Sequence, residues 1–197
     1  MKEAMNDKDN LNPPAVLETL LKETASLGFQ MGSEQQTGAI LRTLAASRIG
    51  GKILEIGTGT GIGTAWLLDG MDQTACLTSI ELDPQVQAVA RQYLSHDSRV
   101  TFLQGNAEAY LTQTAPGTFD LIFADTFPGK FYLFEAAWAL LKIGGLYVID
   151  DLLPQSSWPA DHAAKVPILI AQLESRHDLR LTKLAWASGL IIAVKTA

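Results

Sequence analysis

Four glycines alternate with other residues in Leu54-Glu55-Ile56-Gly57-Thr58-Gly59-Thr60-Gly61-Ile62-Gly63, where a short apolar run gives way to a helical pattern. Residues without a Cβ permit a tight turn and let backbone N–H groups approach a ligand closely. The N-terminus of the following helix adds partial positive charge. Dinucleotide sites use such a turn, so the spacing is diagnostic. A G-x-G-x-x-G fingerprint starting at Gly57 requires glycine at position 62, where Ile62 stands; starting at Gly59 it requires glycine at 64, where Thr64 stands. Neither register is met. Glu55, two residues ahead of the first glycine, points the same way, because a carboxylate there repels a pyrophosphate and attracts an ammonium or sulfonium group. Glu81 comes 24 positions after Gly57, at the end of the next apolar run, where it can accept hydrogen bonds from both hydroxyls of a ribose. Gly105-Asn106-Ala107 offers an amide that either meets an adenine edge or caps a helix.

A second group of chemistry-bearing residues is acidic. Asp125 follows one apolar run and Asp150-Asp151, the sole adjacent acid pair in the chain, follows another. Neighbouring parallel strands would deliver all three carboxylates to one sheet edge, and crowding them is costly unless a cation or proton intervenes. Oxygen ligands of this kind suit Mg²⁺ or Ca²⁺, with waters or substrate oxygens completing the shell; solvated acids capping loops are the other reading. Lys130 is the candidate general base, since a lysine beside a bound cation has a lowered pKa and can take a phenolic proton. His96, His162 and His177 show no metal-ligand spacing and are expected at the surface. Trp66 and Trp138 are expected in the core, and Trp158 either lines an acceptor pocket or packs within its loop.

The elements that must carry these residues follow from periodicity. Strands are expected at Lys52 to Ile56, Cys76 to Glu81, Val100 to Gln104, Phe119 to Ala124 and Leu146 to Asp150. Helices are expected near Gly61 to Leu68, Pro84 to Leu94, Ala107 to Gln113, Lys130 to Leu141 and Val166 to Ser175. Asp83 and Pro84 form an N-cap and first-position pair. Leu179 to Leu184 and Leu190 to Val194, joined by Ala185 to Gly189, read as a hairpin, which forces one antiparallel strand. The expected fold is therefore α/β: a doubly wound, Rossmann-like, mostly parallel seven-stranded sheet with a C-terminal antiparallel hairpin strand and extra N-terminal helices. Those extra helices begin near Ala15, with Val16, Leu17, Leu20 and Leu21 at helical spacing, and at Ser33, whose capping-box partner is Gln36. Residues 1–14 are expected to be disordered or frayed, and 15–197 to form a single domain.

Composition narrows the partners. The net charge is −6, and no two Lys or Arg residues are adjacent, so a nucleic-acid backbone is disfavoured as a partner. No apolar stretch approaches the roughly 18 residues that cross a bilayer, so no membrane partner is expected. The single cysteine, Cys76, and a first decapeptide without an apolar core lead to the expectation of a reducing cytoplasm. A small-molecule acceptor is the expected partner, and the helix bearing Val16, Leu17, Leu20 and Leu21 offers a possible homodimer contact.

Taken in order, Glu55, the Gly57 to Gly63 turn, Glu81 and Gly105-Asn106-Ala107 resemble the class I S-adenosylmethionine-dependent methyltransferases. With Met31-Gly32-Ser33-Glu34-Gln35-Gln36-Thr37-Gly38 and the acids, the chain from about Leu27 onward more narrowly resembles the catechol and caffeoyl-coenzyme A O-methyltransferase family. The resemblance implies S-adenosylmethionine as cofactor, held by Met31 and Ser33 over its methionine portion, by Glu55 and by Gly57, Gly59, Gly61 and Gly63. Glu81 would take the ribose and Asn106 with Ala107 the adenine. It further implies a divalent ion on Asp125, Asp150 and Asp151 that draws two vicinal substrate oxygens toward the methyl donor, with Asp125 also at the cofactor and, beside Lys130, at the catalytic centre. Two departures stand out: Asp151 replaces the family's usual amide ligand, and Lys130 follows Asp125 by five residues rather than three. The rival readings are an NAD-dependent dehydrogenase and a catalytically degenerate methyltransferase fold acting as a binding protein.

Overall fold

Five parallel strands form the frame: β1 (Lys52–Ile56), β2 (Cys76–Glu81), β3 (Val100–Gln104), β4 (Phe119–Ala124) and β5 (Leu141–Ile149). Two more, β6 (Leu179–Leu184) and β7 (Leu190–Lys195), complete a seven-stranded sheet in the order β3-β2-β1-β4-β5-β7-β6, in which β7 runs antiparallel to both neighbours. The computed structural model describes residues 6–9 and 11–197.

The strands are apolar on both faces because helices cover both. One face buries Ile53, Leu77, Leu121, Phe123 and Val148 against α1 (Leu17–Leu27), α2 (Gln35–Ala46), α3 (Ile62–Gly70) and α4 (Pro84–Leu94). The other buries Leu54, Ile56, Ile122, Ala124, Tyr147 and Ile149 against α5 (Ala107–Gln113), α6 (Phe134–Leu140) and α7 (His162–Glu174). Successive residues along each strand thus belong to different layers, the period-two pattern of a sheet covered on both sides. The chain's direction of winding reverses between β1 and β4, which opens a crevice at the carboxyl ends of these strands. No helix among the described residues is long and apolar enough to cross a membrane.

Several expectations from the sequence are corrected. α2 is N-capped by Glu34 without a side-chain bond, so Ser33 and Gln36 form no capping box. α6 starts at Phe134 instead of Lys130, because Gly129 adopts a left-handed φ of 81° and Leu133 one of 56°, bending residues 127–133 into turns. β5 begins at Leu141, ahead of Leu146, through a bulge opposite Asp120 where Lys142 Nζ meets that carboxylate at 2.8 Å. α7 begins at His162 and runs through Pro167; the carbonyl deprived of its partner belongs to exposed Ala163, where water can satisfy it.

The expected frayed N-terminus lies partly on residues 1–5 and 10, outside the described residues. Leu11 and Asn12 are instead tied down, their carbonyls accepting from Arg42 at 2.7 and 2.6 Å. Leu17 and Leu20, suggested for a dimer contact, are buried in this chain's own core.

Candidate active site

The carboxyl ends of β1, β2, β4 and β5 open into one cavity of about 520 Å³, within the range of small-molecule sites. Its floor is the glycine turn, with Gly57, Thr58, Gly59, Thr60, Ile62 and Gly63 all lining it. Gly57 N and Thr58 N donate to Ile80 O at 2.9 and 3.1 Å, which fastens the turn to β2.

Three of the four glycines do different work. At Gly57 a Cβ would come 2.8 Å from Asp125 O, so the bare α-carbon lets the turn pass the end of β4. At Gly61 (φ 93°) it would come 2.8 Å from Ala90 Cβ, and Gly61 is absent from the cavity wall; its role is close packing of α3 on α4. At Gly63 it would meet Glu55 Oε1 at 2.8 Å and Ser33 Oγ at 3.4 Å, so the bare α-carbon lets the turn close over the buried carboxylate.

Glu55 lies beneath the turn and is fully buried. Its Oε2 accepts from Thr64 Oγ1 and Ser79 Oγ, both at 2.5 Å, while Oε1 has no partner among the described residues. Burial pushes its pKa up to about 7, against the opposing effect of the two hydroxyls. A further chain of bonds ties this carboxylate to α4: Gln87 Nε2 donates to Thr58 Oγ1 at 3.3 Å, and Thr58 Oγ1 lies 2.6 Å from Ser79 Oγ. Glu81 sits above the turn, where its carboxylate accepts from Gly59 N at 2.9 Å, Leu82 N at 2.9 Å and Asp83 N at 3.0 Å. Asn106 caps α5, its Oδ1 accepting from Glu108 N at 3.0 Å, and neither it nor Ala107 lines the cavity.

The acids do converge. Asp125, Asp150 and Asp151 line the same cavity, joined by Met31 and Ser33 from the segment before α2. Ser33 Oγ donates to Asp125 Oδ2 at 2.9 Å across 92 residues of sequence. Burial, then the negative charges of Asp150 and Asp151, hold the Asp125 carboxyl well above the usual range. Asp150 is pushed up to about 6, chiefly by burial and next by Asp151, although Ser188 Oγ and Asp151 N (2.7 Å) both donate to its Oδ1. Lys130 is buried rather than solvent-facing. Its Nζ donates to Asp150 O at 3.0 Å and lies 4.0 Å from Asp151 Oδ2.

Residues that the sequence did not single out for it also reach the site. His162, expected at the surface, is 3% exposed and lines the cavity. Its Nε2 must donate to Asp151 O at 2.9 Å, since a carbonyl only accepts, which makes Nδ1 the acceptor of the neutral ring. Ser188 arrives on the hairpin turn between β6 and β7, a convergence with no sequence signal. Trp158, left open by the sequence, both lines the cavity and stacks on His162, ring centroids 4.1 Å apart; Phe127 closes the same aromatic wall. His96 and His177 are exposed as expected, and Trp66 and Trp138 are core.

These residues fit S-adenosylmethionine: a bare glycine cradle, a partnerless buried carboxylate oxygen beneath it and Glu81 at its rim. They do not fit a divalent ion as they stand. Ser33, Ser188 and the Asp151 N–H already engage Asp125 and Asp150, and among the described residues no three His, Cys, Asp or Glu side chains are grouped to hold a metal. The Lys130 ammonium lies inside the cluster, its Nζ 4.0 Å from Asp151 Oδ2, and repels a further cation there.

A family model described as a methyltransferase domain matches residues 54–152. A curated relative from Mycobacterium ulcerans, named as an O-methyltransferase, is 33% identical over 141 residues, covering 67% of this chain and 62% of the relative. The chain thus spans about three fifths of that relative's length. A solved structure from Klebsiella pneumoniae, described as an O-methyltransferase, is 26% identical with a TM-score of 0.78, over 93% of this chain and 90% of that one. An O-methyltransferase from Streptomyces achromogenes, solved in complex with SAM, shares the fold at 23% identity and a TM-score of 0.77, with the same coverage of each chain.

Proposed function

The chain belongs to the methyltransferase-domain family, and from that membership we propose that it moves the methyl group of S-adenosylmethionine to a hydroxyl oxygen of a small, aromatic acceptor. The observation that carries this reading is the charge of the cavity. Glu34, Glu81, Asp83, Asp125, Asp150 and Asp151 line it, against Lys130 as its one lysine or arginine among the described residues. Such a wall favours a ligand bearing ammonium and sulfonium groups and opposes a dinucleotide's diphosphate.

S-adenosylmethionine supplies an electrophilic methyl carbon whose leaving group is a neutral thioether. The chain's own work is alignment and charge. Glu81 exchanges backbone amides for ribose hydroxyls. Met31 and Ser33 cover the methionine end, and Asp125 faces its ammonium. Phe127, Trp158 and His162 form an aromatic wall for an aromatic acceptor, whose oxygen is directed toward Lys130 Nζ. As the oxygen–carbon bond forms and the sulfur–carbon bond breaks, the electron pair stays on sulfur. The hydroxyl proton passes to a carboxylate of the cluster.

Calorimetry with S-adenosylmethionine and with NAD is the direct test. Binding of the sulfonium compound and none of NAD is expected, followed by methyl transfer within a panel of catechols, phenols and carboxylates. Preferential binding of NAD overturns the reading in favour of a dehydrogenase. Binding of S-adenosylmethionine with no transfer to any acceptor points instead to a fold that only binds.

A further inference from the structure

We propose that Lys130 is the resident cation of the acid cluster, so that the site engages its acceptor through an ammonium group instead of a divalent ion; the proposal rests on the methyl-transfer reading above. The reasoning starts in the loop that carries the lysine. Pro128-Gly129 lengthens the connection from Asp125, and Gly129, at φ 81°, turns the chain inward. That turn is locked from inside the sheet, where Tyr147 Oη donates to Gly129 O at 2.6 Å, and from its own far end, where Gly129 N donates to Tyr132 O at 2.8 Å.

The result is a lysine side chain only 1% exposed, its Nζ aimed at the carboxyl end of β5. A buried charge persists only where opposite charge and hydrogen bonds compensate it. Asp150 O and Asp151 Oδ2 supply that compensation. Asp151, at the left-handed φ of 60°, folds its own N–H back onto Asp150 Oδ1, so the pair of acids is arranged by a local turn and needs no ion to hold it.

The chemistry that follows differs from that of a metal site. A divalent ion chelates two vicinal oxygens, whereas an ammonium pairs with one. The acceptor then requires a single ionisable oxygen, as in a monophenol or a carboxylic acid, and a second adjacent hydroxyl adds little.

Mn²⁺ titration of the whole chain, read by electron paramagnetic resonance with and without S-adenosylmethionine, decides the matter without reference to turnover. No stoichiometric bound ion is expected. One Mn²⁺ per chain, lost in Asp150→Asn, overturns the proposal. Methyl transfer to an active acceptor should survive a chelator, monophenols should match catechols within about tenfold, and Lys130→Met should lower kcat about a hundredfold with S-adenosylmethionine affinity retained. Abolition of transfer by the chelator, restored by added metal, also overturns it. If Lys130→Met does not fold, the Mn²⁺ result on the unmodified chain still stands. Failure of S-adenosylmethionine to bind defeats the methyl-transfer reading instead, and is distinguishable because the Mn²⁺ titration of the chain without S-adenosylmethionine does not depend on it.

Discussion

Ser79 on β2 is the direct strand partner of Glu55 on β1, and its hydroxyl donates to Glu55 Oε2 at 2.5 Å. One register pair therefore places a buried carboxylate under the glycine turn and supplies a hydroxyl to hold it. The other carboxylate oxygen has no partner among the described residues, and that asymmetry gives the first prediction.

Glu55 should make stability fall as pH rises. Its folded pKa of about 7 exceeds the ordinary 4.5, so between those values the native state holds more protons than the unfolded state. The contribution is intact below the unfolded value and is lost progressively up to the folded one, a difference of roughly 3 kcal/mol. Glu55→Gln should remove this slope and be the more stable protein at pH 8. Urea unfolding of both proteins at pH 5 and pH 8 measures it, and parallel pH profiles would refute the assignment.

Gly61→Ala should cost stability without touching cofactor affinity. The new methyl would lie 2.8 Å from Ala90 Cβ at a φ of 93°, an overpacked and strained position worth about 1–3 kcal/mol. Thermal unfolding should show a fall of a few degrees, while calorimetry at low temperature gives an unchanged Kd for S-adenosylmethionine.

Replacing Glu81 tests the rim of the cavity. Its carboxylate accepts three backbone amides and lies beside Gly59, so Glu81→Gln removes the charge while keeping the shape. Hydrogen bonds to a charged group contribute about 1.5–3 kcal/mol, which corresponds to a loss of roughly ten- to a hundredfold in S-adenosylmethionine affinity. An unaltered Kd would place the ribose elsewhere.

His162→Phe keeps an aromatic ring against Trp158 and deletes the bond to Asp151 O. Burial is the main force lowering the pKa of this imidazole, so the neutral ring prevails at pH 7 and its loss changes geometry more than charge. Turnover should drop about five- to tenfold, the equivalent of one net hydrogen bond, with cofactor binding unaffected. A loss of cofactor affinity as large as the loss of turnover would assign His162 to the cofactor side.

The bounds of β1, β2, β3 and β4 and of α4 and α5 coincide with those read from the sequence. Short apolar runs punctuated by Gly, Asp and Pro leave one economical arrangement, and Asp83 caps α4 in the expected way, accepting from Gln85 N at 2.8 Å. Legibility declined where local signals competed with tertiary ones. Lys130 reads as the first residue of a helix, but Gly129 and the Tyr147 hydroxyl bend it into the site. Ser33 reads as a cap, but Asp125 claims its hydroxyl.

What the sequence by itself determined is the order of strands and helices, the failed dinucleotide register and the delivery of Glu55, Glu81 and the three aspartates to one sheet edge, because period and punctuation are local properties. Only the tertiary structure decided which glycine faces the cavity and which faces Ala90, that His162 and Ser188 enter the cavity, and that the Lys130 side chain lies among the carboxylates. Those outcomes depend on distances between residues far apart in the chain, set by how two helical layers close on the sheet, and no local spacing encodes them.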